Sequence, residues 1–265
     1  MFELIFPAFL ISIILVGIHS YLGIHIIQRG VIFVDLSLAQ IAALGAIVGV
    51  FFGYEIYSTS SYLLSLFFTF IGAMIFSISR SKKYKEISQE AVIGIVYVVS
   101  ASLSVLVMDR IPSEAEHLKR VLFGNILFVS KYQIIKTFIL YLLVGFLHYI
   151  LKDKFLMISF EPEKASKEIN VKLWDFVFYA LFGIVVTSSV ELAGVFLVFS
   201  FLIIPAVASM MVYNTLSKRL IFAWIFGVVV TILGFYLSVK LDTPTGPTIV
   251  SAMGLSLFIL WLIKR

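Results

Sequence analysis

An all-α, polytopic membrane bundle follows from three features of these 265 residues. Hydrophobic residues make up 61% of the chain and charged residues 13%, with a mean hydropathy of +1.10, which is more apolar surface than a soluble domain covers. Apolar runs of membrane-crossing length recur from end to end between short polar segments. Most of the 20 Lys and Arg residues fall in alternate polar segments. A single transmembrane domain over residues 1–265 is therefore expected, with no room for a separate catalytic domain.

A hydrocarbon core roughly 30 Å thick takes about 20 helical residues. Cutting at the polar clusters gives about nine spans, near 4–27, 31–52, 61–79, 91–109, 132–151, 173–188, 191–213, 220–239 and 249–263, and counts of eight or ten also fit. The first run outlasts a signal-peptide core and has no basic region before it, so a retained span is expected. The stretch from Leu173 to Tyr213 is too long for one crossing and must turn, most economically at Thr187–Gly194. The sixth and ninth spans come out short, which predicts broken or tilted helices there.

Orientation follows from the basic residues. Placing Arg29, the Arg80–Lys85 cluster, Lys152 to Lys172, Lys218, Arg219, Lys264 and Arg265 on one side makes that side the cytoplasm. The chain is then a multi-pass protein of the cell (inner) membrane, with its amino terminus outside and its carboxyl terminus cytoplasmic. The outer segment 109–131 runs against this rule with Arg110, Lys119, Arg120 and Lys131. Its EAEHLKRVLFGNILFV pattern predicts a short helix lying in the interface.

Several chemistries are excluded. The chain has no cysteine, so it forms neither disulfides nor thiolate metal sites. Its basic residues are scattered, so no nucleic-acid surface is expected. No GxxxxGK[ST], HExxH, paired carboxylates or nucleophile arrangement occurs, so the chain is not an enzyme and any ATP hydrolysis belongs elsewhere. No prosthetic group is expected. His19 and His25 stand on different helix faces, and neither they nor His117 and His148 form a pair with ligand spacing.

The polar residues inside apolar sequence carry the functional signal. The second span, RGVIFVDLSLAQIAALGAIVG, holds Asp35 near its inner third and Gln40 roughly 13 Å deep. Such side chains face protein or a water-filled cavity. Their oxygens suit a divalent cation that keeps some water. The competing reading is packing, with Asp35 bonded to a neighbouring helix and Gln40 bridging two spans. Asp35 reads as the only well-buried acid. Glu191 falls at the turn between the sixth and seventh spans, where it either guards an entrance or caps a helix amino terminus. Pro205 in LIIPAVAS removes a backbone hydrogen bond and predicts a kink, which serves a pathway or packing. In the cytoplasmic stretch 152–172, Pro162 starts a helix that EKASKEI continues for two turns. That helix either docks on another protein or is a solvated connector.

The ordered segments RGVIFVDLSLAQIAALGAIVG, SQEAVIGIVYVVSASLSVLV, RVLFGNILFVSKYQI, ISFEPEKASKEINV and ELAGVFLVFSFLIIPAVAS resemble the membrane permeases of ABC-type zinc, manganese and iron uptake systems, the ABC-3 family. LFGNILFVSKYQI and PTGPTIVSAMGLSLF are more distantly similar to cobalamin and siderophore permeases. The resemblance implies a type II ABC importer-like fold acting as a homodimer with separate ATP-binding subunits. It also implies an extracellular or periplasmic metal-binding protein that delivers the substrate. The segment carrying Glu161, Pro162, Glu163, Ala165 and Ile169 resembles the family's ATPase-coupling helix, and Gly124, Gly194 and Pro205 match its pattern.

This chain departs from that pattern at the metal motif. Gln40 stands where the family has histidine, Leu44 where it has proline, and Asp35 one position before the usual acid, opposite Leu36. Loss of an imidazole weakens a preference for zinc. The leading expectation is an ATP-driven divalent metal importer with Asp35, Gln40 and Glu191 as transient metal contacts. The alternatives are an ion-gradient-driven secondary transporter and a non-transporting membrane assembly subunit. The first of these usually needs several mid-membrane ionisable groups and internal repeats, which this sequence lacks.

Overall fold

The computed structural model describes residues 2–55, 58–80, 88–111 and 126–264, with side chains from residue 5 onward. These residues are helical with no strand: α1 (Phe2–Arg29), α2 (Val34–Phe51), α3 (Thr59–Ser79), α4 (Gln89–Met108), α5 (Lys131–Ile150), α6 (Lys152–Phe160), α7 (Pro162–Glu168), α8 (Val171–Ala193), α9 (Val195–Val212), α10 (Leu216–Leu241) and α11 (Thr245–Lys264). Among the described residues nine helices, α1 to α5 and α8 to α11, are long and apolar enough to cross a membrane. All nine overlap the expected spans. Most of the interfacial helix expected in segment 109–131 lies outside the described residues, as do His117, Gly124 and the basic residues Lys82, Lys83 and Lys85.

Two expectations change. The sixth and ninth spans are not short: α8 runs 23 residues and α11 20. The polar residues that suggested cutting the sixth span are satisfied inside it. Thr187 Oγ1 shares a hydrogen bond with Thr69 Oγ1 at 3.1 Å, and Ser188 Oγ donates to the Val185 carbonyl at 2.9 Å. The chain turns at Gly194 alone, whose φ of 77° lies in the left-handed region that only glycine enters without cost. Nor is Asp35 the only well-buried acid, because Asp175 in α8 is fully buried.

Asp175 is tolerated there because arginines surround it. Arg29 Nη1 donates to its Oδ1 at 2.7 Å, and Arg80 Nη1 reaches its Oδ2 at 3.0 Å. Arg29 also donates from Nε to Ser159 Oγ at 2.9 Å and lies 3.7 Å above the centre of the Phe178 ring. Charged groups enter low dielectric only when paired and hydrogen-bonded in this way. The cluster ties the ends of α1 and α3 to α6 and α8.

The chain divides into two compact units. Residues 28–121 and 147–188 form one, in which α2 packs against α3 and α4. The approach of α2 to α3 depends on Gly45, where a Cβ would lie 2.8 Å from the Leu64 carbonyl oxygen and from Ser65 Cα. Residues 1–27, 122–146 and 189–265 form the other, in which α9, α10 and α11 pack on one another. A buried polar chain joins α1, α5 and α8 here. Tyr141 Oη and Ser189 Oγ lie 2.5 Å apart, Ser189 Oγ and His19 Nε2 3.1 Å apart, and His19 Nδ1 is 2.8 Å from the Leu15 carbonyl oxygen.

Candidate functional site

Asp35 lies in the first turn of α2, where an acid complements the helix dipole. It is only 1% exposed, and among the described residues neither carboxylate oxygen has a hydrogen-bond partner. Ser37 Oγ, two residues on, is likewise buried and unbonded. Buried polar atoms are nearly always paired, so two orphaned oxygens on one intramembrane acid mark a place that something else completes. The packing reading of Asp35, a hydrogen bond to a neighbouring helix, is not realised among the described residues.

Gln40 follows five residues later, about 140° round the helix from Asp35. It is half-buried, and its Nε2 donates to Ser104 Oγ of α4 at 3.2 Å. The bridge between spans expected of Gln40 therefore exists, through the amide nitrogen. No hydrogen bond reaches its Oε1 among the described residues.

A third polar group was not singled out from the sequence. The N-cap position of α2 is Phe33, whose side chain cannot cap. Its backbone N–H instead donates to Glu90 Oε1 in the first turn of α4 at 3.0 Å, while Glu90 Oε2 is buried and unbonded. An acid from one helix thus caps another. The local signal in SQE was legible, since Ser88 caps α4 and an acid follows in its first turn. Which other helix that acid would reach was not legible. Glu90, at Phe33, and Ser104, at Gln40, together pin α4 along α2 at two points about two helical turns apart.

The other expected residues stand as follows. Glu191 is exposed, in the last turn of α8 and in the unit that does not contain α2. Among the described residues no side-chain hydrogen bond joins it to the start of α9, whose N-cap is Gly194. Pro205 is buried within α9, against Gly227 of α10. Glu161, Pro162 and Glu163 begin α7 on an exposed face, with Pro162 in the first turn as expected. Ala165 is fully buried, Ile169 is half-buried as the C-cap, and Lys164 Nζ sits 3.4 Å from Glu161 Oε2. The described histidines serve packing. His19 sits in the polar chain above, Tyr21 packs on His25 with ring centres 4.8 Å apart, and His148 stacks near Phe155 at 4.7 Å. Among the described residues no group of three or more His, Cys, Asp or Glu could hold a metal ion.

Comparison with known proteins adds three findings. The model of the ABC 3 transport family matches residues 1–265. Among curated proteins, the chain is 29% identical over 261 residues to the manganese transport system membrane protein MntC of Listeria monocytogenes, covering 96% of this chain and 88% of that protein. It is 28% identical over 266 residues to the high-affinity zinc uptake system membrane protein ZnuB of Haemophilus influenzae, covering 100% and 99%. Among solved structures, PsaBC from Streptococcus pneumoniae in complex with Fab shares the fold, with a TM-score of 0.80, 21% identity and coverage of 98% of this chain and 92% of that one.

Proposed function

We propose, because the chain belongs to the ABC 3 transport family, that it is the membrane permease subunit of an ATP-driven importer of divalent metal ions. The observation that carries this reading is the family match over the whole chain, joined to whole-length relatives named for manganese and zinc transport. Two copies pair around the path and rest on two ATP-binding subunits, and an extracellular or periplasmic metal-binding protein supplies the ion. The amino terminus faces outward and the carboxyl terminus faces the cytoplasm.

The geometry of residues 152–172 supports a coupling role. α7 is seven residues long, buries Ala165 against its own unit and exposes Glu161, Pro162, Glu163, Lys164, Ser166, Lys167 and Glu168. An ATP-binding subunit meets that charged face, and its closure moves α7 and, through α6 and the Arg29–Asp175 cluster, the ends of α1, α3 and α8. The halves then open alternately to either side. Asp35 and Gln40, with Glu191, give the passing ion carboxylate and amide oxygens, ligands suited to hard, partly hydrated cations. Gln40 is the decisive position. Gln40→Leu is expected to abolish manganese and zinc uptake by proteoliposomes holding the permease and its ATP-binding subunit, while that complex still co-purifies. Normal uptake by this variant would overturn the pathway role.

A further inference from the structure

The amide of Gln40 has two ends that differ in charge, and only one of them suits a cation. Ser104 decides which end is free. Its Oγ donates to the Ser100 carbonyl at 2.8 Å, which leaves the hydroxyl lone pairs facing Gln40. Those lone pairs accept from the Gln40 amide nitrogen at 3.2 Å. Were the amide turned over, its carbonyl oxygen would face the Ser104 oxygen with no proton between them, and the two acceptors would repel. Hydrogen-bonding partners, not shape, decide such amide orientations, and the turned amide would cost Ser104 its bond to the Ser100 carbonyl.

Ser104 itself is 2% exposed, set in α4 beside the half-buried Gln40. The contact lies within one compact unit, where α2 and α4 pack directly and Glu90 holds the start of the pair. We propose that Ser104 is a positioning residue that fixes the Gln40 amide with its carbonyl oxygen outward, making this side chain a hard-cation contact and turning its N–H groups away from the ion. The proposal rests on the pathway reading of Gln40 and adds a specificity role for a residue that never touches the ion. It also gives a physical reason for an amide at this depth. An imidazole coordinates through nitrogen, whereas an oriented amide offers oxygen alone, the donor that suits manganese and magnesium better than zinc.

The test compares Ser104 variants in two backgrounds, using the permease assembled with its ATP-binding subunit in proteoliposomes and Mn²⁺ as probe. Ser104→Ala removes the acceptor and lets the amide turn. The half-saturating Mn²⁺ concentration is expected to rise about five-fold, the factor that one hydrogen bond's net worth represents, with maximal rate unchanged. Ser104→Thr keeps a hydroxyl that bonds the carbonyl four residues back and is expected to behave as the unaltered protein. In a Gln40→Glu background both ends of the side chain are oxygen, so orientation no longer matters and Ser104→Ala is expected to change half-saturation less than about two-fold. An equal shift in both backgrounds, or no shift with Gln40 present, overturns the proposal. Loss of uptake in Gln40→Leu together with no effect of Ser104→Ala would reject Ser104 alone, whereas normal uptake in Gln40→Leu would reject the pathway reading beneath it.

Discussion

The polar groups around His19 in one compact unit and those around Asp35 in the other are built to opposite rules. In the His19–Ser189–Tyr141 chain each side chain meets a partner, and the far ring nitrogen of His19 is anchored on the Leu15 carbonyl. Along α2 and the start of α4, by contrast, both oxygens of Asp35, the hydroxyl of Ser37 and one oxygen of Glu90 are buried without a hydrogen bond among the described residues. A satisfied network holds helices together, and removing one member costs the bonds it made. An unsatisfied one costs the folded protein free energy, and a passing solute is the partner proposed for it. The difference teaches that partners separate these intramembrane polar residues where residue type alone does not: an acid with neither oxygen bonded stands apart from side chains held in a network.

The contrast can be sharpened by removing groups of each kind. The largest effect is expected at Asp175, the most heavily bonded acid. Asp175→Leu leaves Arg29 buried without its counter-ion and is expected to lower stability by about 3–5 kcal/mol, read as a lost thermal transition or failed assembly in detergent. His19→Leu removes one link from a satisfied chain. It is expected to cost about 1 kcal/mol of stability and to leave metal uptake intact. Asp35→Asn breaks no hydrogen bond among the described residues, so the melting temperature is expected to stay level or rise, while uptake falls. If Asp35→Asn destabilised the protein more than His19→Leu did, the division into structural and functional clusters would fail.

Much of the fold was legible in the sequence because membrane spans are written in local hydropathy. The nine crossings, Pro162 at the start of α7 and a turn ending at Gly194 follow from runs, prolines and glycines that act within a few residues, though α8 continues helical through Thr187–Ala193. The short sixth span was misread for a physical reason. Asp175 and the Thr187–Ser189 run look like span ends until their partners, Arg29, Arg80, Thr69, His19 and Tyr141, are brought beside them. Those partners are dozens to well over a hundred positions away, and nothing local announces them. The candidate site divides in the same way. Depth pointed to Asp35 and Gln40, but the capping of α2 by Glu90 and the bond from Gln40 to Ser104 depend on the register between α2 and α4, which no single helix encodes. The resemblance to ABC-type metal permeases supplied the architecture that periodicity could not, and the family match bears it out.

The most direct test of whether α2 borders an aqueous path uses the chain's lack of cysteine, which makes any introduced thiol unique. Gln40→Cys and Ser189→Cys, each assembled with the ATP-binding subunit, are exposed to a small cationic thiol reagent with and without nucleotide. The thiol at position 40 is expected to react in at least one nucleotide state and to be protected by Mn²⁺, while that at position 189 stays sealed in all of them. A thiol at position 40 that is sealed in every state would contradict the account.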